Sequence, residues 1–98
     1  MPPQYAPLPE ELTIHHVAEL APGLLAAARS GRSLQLDLGS ITHIDSAGVQ
    51  LLLQLKRFAT RSNTRMALLN PSPAVSEVLG FYRLGSLLGI SLPVTGQD

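Results

Sequence analysis

The chain has 98 residues, enough for one small domain and too few for two. Hydrophobic residues make up 45% of it and charged residues 14%, a balance typical of a folded globular protein rather than a disordered one. Seven basic residues offset seven acidic ones, so the positive surplus expected of a nucleic-acid-binding protein is missing. Since there is no cysteine, disulfides, thiolate metal sites and cysteine nucleophiles are excluded.

Neither a signal peptide nor a membrane span is indicated. Residues 1–5 contain no basic run followed by an apolar stretch. The longest apolar run, residues 49–55, is interrupted by glutamines and is too short to cross a bilayer. We therefore expect a cytoplasmic protein that does not insert directly into membranes.

The first third of the chain predicts an arm, a short strand and a helix. Four of the eight prolines lie within residues 1–9, so this Pro-rich N-terminal arm is extended and adds at most an edge strand near Leu8. Residues 12–14 alternate between apolar and polar side chains and fit a short strand. From His16 to Ala28 the apolar residues recur at helical spacing, with a kink or restart expected at Pro22 because proline cannot donate to the preceding turn.

The middle of the chain predicts a strand and a long helix. Residues 34–38 alternate leucine with polar residues, the period of a strand, and residues 41–44 continue extended. From Gly48 the period becomes helical. The predicted apolar face comprises Leu51, Leu52, Leu55, Phe58 and Ala59, and the predicted polar stripe comprises Gln50, Gln54, Arg57 and Arg61.

The last third adds a strand and a helix. Residues 66–69 form a continuous apolar run, which fits a buried central strand. Ser72 is the expected N-cap of a helix that has Pro73 in its first position, presents Val75, Val78, Leu79 and Tyr82 on one face, and stops by Gly85. Phe81 and Tyr82 are expected to be core and rim residues. Residues 87–94 could supply one more short strand before the tail, residues 95–98, frays.

Strands that alternate with helices predict an α/β fold with a parallel or mixed sheet. One domain is expected over residues 10–94.

The segment 41–52 is the most informative part of the sequence. A strand ends there in an acidic and hydroxylic turn that opens directly into a helix, so Asp45 or Ser46 can cap the unpaired amides of the first helical turn. Gly48 has no side chain, so another backbone can approach closely at this turn. A phosphate on Ser46 would lie where the helix dipole tolerates negative charge best.

Positions three, four and seven residues after Ser46 are Val49, Gln50 and Leu53. Val49 and Leu53 lie off the main apolar face, which predicts a small surface patch beside the hydroxyl where a partner protein could dock. In the alternative, both side chains pack beneath the loop that joins strand to helix.

These residues resemble the STAS domain family, which contains the bacterial anti-sigma factor antagonists. The resemblance rests on Ile44-Asp45-Ser46-Ala47-Gly48-Val49, the alternating strand upstream and the helix entry at 70–75, and it covers roughly residues 10–90. It implies a STAS-like α/β fold, a mixed four- to five-stranded sheet with helices packed on one side. It also implies no enzymatic activity, no cofactor or metal, and a partner that is a kinase or a transporter subunit.

In the sporulation-type antagonists that this chain resembles, the phosphorylated serine immediately precedes the glycine. That position is Ala47 here, which cannot accept phosphate. Either Ser46 serves as the phosphoacceptor, or the switch is lost and the domain binds its partner constitutively. In a purely structural role, Ser46 would only cap the helix.

Other candidate sites carry less signal. His15 and His16 are adjacent and cannot chelate one ion together from a helix, and His43 with Asp45 and Ser46 lacks the nucleophile turn of a hydrolase. The cations Lys56, Arg57, Arg61 and Arg65 could meet an acidic partner, a membrane surface or a phosphoryl group, or form a solvated helix end.

The leading hypothesis is a non-catalytic bacterial signal-transduction module. It docks a regulatory kinase or anti-sigma-like protein through Asp45, Ser46, Ala47, Gly48, Val49, Gln50 and Leu53, with phosphorylation of Ser46 as the switch. The alternative is the STAS subunit of a phospholipid-transport ABC complex, bound permanently to its ATPase subunit. A small hydrolase is a remote third reading.

Overall fold

A computed structural model describes residues 3–85 and residue 88. This part of the chain contains five strands and three helices, which confirms the predicted α/β class. In chain order they are β1 (Gln4–Pro7), β2 (Glu11–Leu12), α1 (Ile14–Ala28), β3 (Leu34–Asp37), β4 (His43–Ile44), α2 (Ser46–Arg61), β5 (Met66–Leu69) and α3 (Pro73–Phe81).

The described strands form a three-stranded sheet in the order β1-β3-β5 and a two-stranded sheet of β2 and β4. Every described pairing is parallel, with Leu34 of β3 opposite both Gln4 and Met66. The alternation of β3 is as predicted: its leucines, and Leu38 just after it, are buried. Within the described residues β5 is an edge strand, not the predicted central one, because β3 occupies the centre.

The arm predicted over residues 1–9 contains β1, whose first two side chains bind to the end of α1 and to β3. The Gln4 side-chain amide donates to the Ala27 carbonyl (3.2 Å) and to Ser30 Oγ (2.8 Å), beside the C-terminus of α1. The Tyr5 hydroxyl donates to Asp37 Oδ2 at 2.7 Å. Side chains therefore reinforce the pairing of β1 with β3.

The two longer helices differ from the prediction at their starts. The expected strand at residues 12–14 is shorter, since Ile14 already begins α1 and Thr13 precedes the helix. α1 continues through Pro22 without a restart. α2 begins at Ser46 rather than Gly48, and its apolar face enters the core as predicted, with Leu52 and Leu55 fully buried.

α3 begins as the sequence predicts and ends earlier. Ser72 Oγ accepts the Val75 amide at 3.2 Å, and Pro73 occupies the first helical turn. The helix ends at Phe81, and Arg83 adopts a left-handed backbone conformation with φ of 56°. Phe81, the last residue of the helix, and Tyr82, which follows it, are both exposed. This corrects the expectation that they are core and rim residues.

Of the strand proposed at residues 87–94, only Leu88 lies within the described residues, where it is buried in the core. None of the helices that the structure describes has the combination of length and hydropathy needed to cross a membrane.

Candidate functional site

The candidate site lies where β4 opens into α2, and Asp45 organises it. Asp45 Oδ1 accepts the Gly48 amide at 3.1 Å, which makes Asp45 the N-cap of α2. Asp45 Oδ2 accepts the Ile14 amide at 3.0 Å, in the first turn of α1. Thr13, the residue that precedes α1, makes no side-chain capping bond. One carboxylate therefore satisfies orphan amides of two helices.

These hydrogen bonds stabilise the charged form of Asp45. The Ile14 amide, and to a smaller extent the amides of Gly48 and Ala47, lower the pKa of the Asp45 carboxyl below its ordinary value, against an opposing effect of desolvation. Because both oxygens accept bonds from this chain's own backbone, Asp45 positions the site more than it offers a contact to a partner.

Gly48 provides the close backbone approach that the sequence predicts, and the approaching backbone belongs to the same chain. A Cβ atom at position 48 would collide with the carbonyl oxygen of Leu12, at the end of β2. The Asp45 amide also donates to this carbonyl, at 3.4 Å. Gly48 therefore lets the start of α2 pack against the end of β2, and it is itself buried.

Ser46 is the first residue of α2, and its side chain is exposed. Within the described residues its hydroxyl has no hydrogen-bond partner, because the capping role falls to Asp45. The purely structural reading of Ser46 as the cap of α2 is therefore wrong. The hydroxyl is available to solvent at the positive end of the helix dipole.

The predicted surface patch of Val49 and Leu53 is wrong for Val49. Val49 is buried, at 5% exposure, in the same cluster as Leu12. Leu53 is half-buried and lines a different groove with Lys56 and Arg57. Of the remaining predicted residues, Ala47 is half-buried and Gln50 is exposed, and both face α1.

Two aromatic residues that were expected at the core and its rim lie beside Ser46. Phe81 and Tyr82 are 79% and 56% exposed, and their rings meet edge to face with centroids 5.0 Å apart. They wall a groove of about 340 Å³. We call it the Ser46 groove; its described lining is Ile44, Asp45, Ser46, Glu77, Val78, Phe81 and Tyr82.

The residues considered for a hydrolase do not form a catalytic arrangement within the described part of the chain. His43 Nδ1 lies 3.1 Å from the Thr42 hydroxyl, and the Asp45 carboxylate is committed to backbone amides. His16 Nδ1 lies 3.6 Å from Glu11 Oε1, and His16 does not line the Ser46 groove. The geometry offers an accessible surface rather than a nucleophile activated by a base.

Gly48→Ala is expected to destabilise the protein by about 1–3 kcal/mol, because the added methyl group meets the Leu12 carbonyl. Gly23→Ala in α1 is the matched control: its methyl group meets nothing within 4 Å, so it should stabilise the helix by up to about 1 kcal/mol. Urea unfolding of the two variants measures the difference. Equal stability of the two would refute the close packing at Gly48.

Asp45→Asn should make stability less dependent on pH. Since folding lowers the pKa of Asp45, the charged carboxylate stabilises the fold above its unfolded-state pKa, and this contribution disappears as pH falls through the folded-state value. The stability gap between wild type and Asp45→Asn should therefore be largest near neutral pH and shrink in acid. Asp37, whose pKa is also lowered, is present in both proteins and cancels. A gap that stays constant with pH in denaturant titrations would contradict this role.

Comparisons with known proteins agree with this architecture. A family model described as "Mlab, STAS domain" matches residues 7–89. Among solved structures, the chain is similar to one described as "Structure of the Anti-Sigma Factor Antagonist SpoIIAA in its Unphosphorylated Form". That match has a TM-score of 0.73 and 26% sequence identity, and it covers 97% of this chain and 84% of the other. A comparison with curated protein sequences gives no match. The family match spans most of the chain, and the chain belongs to the STAS domain family.

Proposed function

We propose that this STAS domain is a non-catalytic protein-interaction module of the anti-sigma-factor-antagonist type, with the Ser46 groove as its docking surface. The observation that carries the proposal is the exposed Ser46 hydroxyl at the start of α2, facing an exposed aromatic pair. The similarity to the anti-sigma factor antagonist SpoIIAA supports a regulatory kinase or anti-sigma-like protein as the partner.

The groove has the chemistry of an interaction surface. Large aromatic side chains are enriched among the residues that contribute most to protein–protein affinity. Phe81 and Tyr82 form such a pair here, and the half-buried Val78 and Ile44 continue the apolar surface towards Ser46. A partner that covers this surface would bury the Ser46 hydroxyl in its interface.

Phosphorylation of Ser46 would change the charge of this groove strongly. A phosphoserine adds up to two negative charges. The described lining already holds the carboxylates of Asp45 and Glu77 and contains no cation. The helix dipole of α2 tolerates the new charge within the domain, whereas a partner that docks against the unmodified groove would meet repulsion and a bulky group.

One observation favours a second candidate. The position immediately before Gly48, which carries the phosphoacceptor in the sporulation-type relatives, is Ala47. A domain without the switch would bind its partner constitutively, as expected of the STAS subunit of a phospholipid-transport ABC complex bound to its ATPase subunit. Ser46 would then contact the partner without being phosphorylated.

Ser46→Asp is expected to weaken partner binding, and Ser46→Ala to preserve it, because only the first adds charge to the groove. Partners recovered with the tagged chain are identified and quantified by mass spectrometry. Ser33→Asp, at an exposed serine in the loop before β3, controls for the added charge. Equal losses for both Ser46 variants would indicate a direct contact by the hydroxyl and argue against the switch.

The identity of the recovered protein separates the two candidates. A kinase-like partner that adds one phosphate to the wild type and none to Ser46→Ala, read by intact mass, supports the antagonist function. An ABC ATPase that remains bound with no modification of the chain supports the transport function and overturns the first candidate.

Phe81→Ala should reduce partner binding by about tenfold or more, the effect expected when an interface aromatic is truncated. Because Phe81 is largely exposed, the free energy of unfolding should change by no more than about 0.5 kcal/mol. Arg57→Ala, at an exposed residue of α2 that does not line the groove, should leave binding unchanged. Full binding by Phe81→Ala would exclude the Ser46 groove as the docking surface.

A further inference from the structure

A second groove runs along the other flank of α2, between α1 and α2. It encloses about 500 Å³ and is not part of the Ser46 groove. α1 contributes side chains spaced four residues apart, which form one ridge: Val17, Ala21, Leu25 and Arg29. The three apolar members of this ridge are half-buried, so the groove is open to solvent with apolar walls.

The facing wall belongs to α2. Ala47, Leu51 and Phe58 form its apolar part, and the exposed amides of Gln50 and Gln54 form its rim. α1 and α2 lie side by side and point the same way, because Asp45 caps both N-termini and Arg29 lies over the Phe58 ring near both C-termini. The groove therefore has a defined direction, from the shared Asp45 cap to Arg29.

The groove has the dimensions of a helix-packing site. From Val17 to Arg29 the α1 ridge spans about 18 Å at the helical rise of 1.5 Å per residue. Ridges of side chains four residues apart are the surfaces into which the ridges of another helix pack. A helix of about 12 residues from another protein would match this length and cover the half-buried apolar side chains.

The charge of the groove specifies the occupant further. Among the described lining residues, Arg29 alone is charged. Its guanidinium lies 4.3 Å from the Phe58 ring centroid, and no carboxylate among the described residues lies within ion-pair distance of it. A cation held at the end of an apolar groove complements an acidic group of the occupant.

Helix dipoles set the orientation. The Arg29 end of the groove lies at the C-termini of α1 and α2, where the dipoles leave partial negative charge. The dipoles favour a partner helix most when its positive N-terminus faces that end of the groove. Acidic residues also stabilise a helix at its own N-terminus. Its first-turn carboxylate would then meet Arg29.

We propose that the α1–α2 groove binds an amphipathic helix of a partner protein that runs antiparallel to α1 and α2 and carries an acidic residue in its first turn, opposite Arg29. This surface is additional to the Ser46 groove.

A library of displayed helical peptides, about 18 residues long, tests the proposal. Peptides are selected on the wild-type chain, with Leu25→Glu as the counter-selection target, since a carboxylate there blocks the apolar wall. The selected peptides should carry apolar residues three and four positions apart and an acidic residue in the first turn. Enrichment of sequences without that acidic residue, or no enrichment over Leu25→Glu, would overturn the proposal.

The selected peptide is then measured by fluorescence anisotropy. Arg29→Glu should weaken its binding by about tenfold, and a peptide with lysine in place of its first-turn acid should recover the affinity for Arg29→Glu. Arg57→Glu makes the same charge change outside the groove and should have no effect. Because Arg29 is exposed, Arg29→Glu should leave the fold intact. The charge exchange therefore tests the proposal even if Leu25→Glu does not fold. Failure of the exchange to restore binding contradicts the assigned orientation.

The same peptide should bind Ser46→Asp as tightly as wild type. A loss there would mean that the peptide occupies the Ser46 groove, which contradicts the present proposal and leaves the proposed docking function intact.

Discussion

The carboxylate of Asp45 joins the starts of two helices that are distant in the chain, since Ile14 and Asp45 are 31 residues apart. One oxygen accepts an amide of α2 and the other accepts an amide of α1, so the two helices begin at a common point. Gly48 completes this junction, because the Leu12 carbonyl occupies the space that any side chain at position 48 would need. This junction sets α1 and α2 side by side, with the Ser46 groove at the start of α2 and the α1–α2 groove along its flank.

Within the turn, the two outer positions are structural and the two inner positions are accessible. Asp45 and Gly48 are committed to the chain's own backbone, whereas Ser46 and Ala47 are left at the surface. Ser46 faces the groove beside α3, and Ala47 faces the groove beside α1. A change at Ser46 would therefore leave the helix cap in place, since no hydrogen bond among the described residues depends on its hydroxyl.

Local sequence patterns predicted the elements whose cause is local. The alternation of 34–38 and the helical period after Gly48 are properties of neighbouring residues, and β3 and α2 follow them. Val49 lies off the main apolar face of α2, so the sequence left both a surface and a buried position open for it, and the structure buries it. The bond from Ile14 to Asp45 joins distant segments, so no local pattern could reveal that Asp45 serves two helices.

Phe81 and Tyr82 were misplaced for a different reason. The apolar spacing of α3 continues to Tyr82, but the helix ends one residue earlier, and the left-handed Arg83 turns the chain away. Beyond the end of α3 the helical spacing no longer predicts which side chains face the core, and Tyr82 lies in that part of the chain. Both rings line the Ser46 groove, so the candidate docking surface includes two residues that were expected at the core and its rim.

The proposed roles of the Ser46 groove and the α1–α2 groove are separable because charge is screened over the length of α2. Ser46 and Phe58 are 12 positions apart, which corresponds to about 18 Å along the helix axis. At physiological ionic strength the Debye length is about 8 Å, so a phosphate on Ser46 has little direct electrostatic effect on an ion pair at Arg29. Coupling between the two surfaces would instead require a movement of α2, which the Asp45 cap and the close packing at Gly48 oppose. The switch proposed at Ser46 and the helix-binding groove proposed at Arg29 are therefore compatible on the same helix.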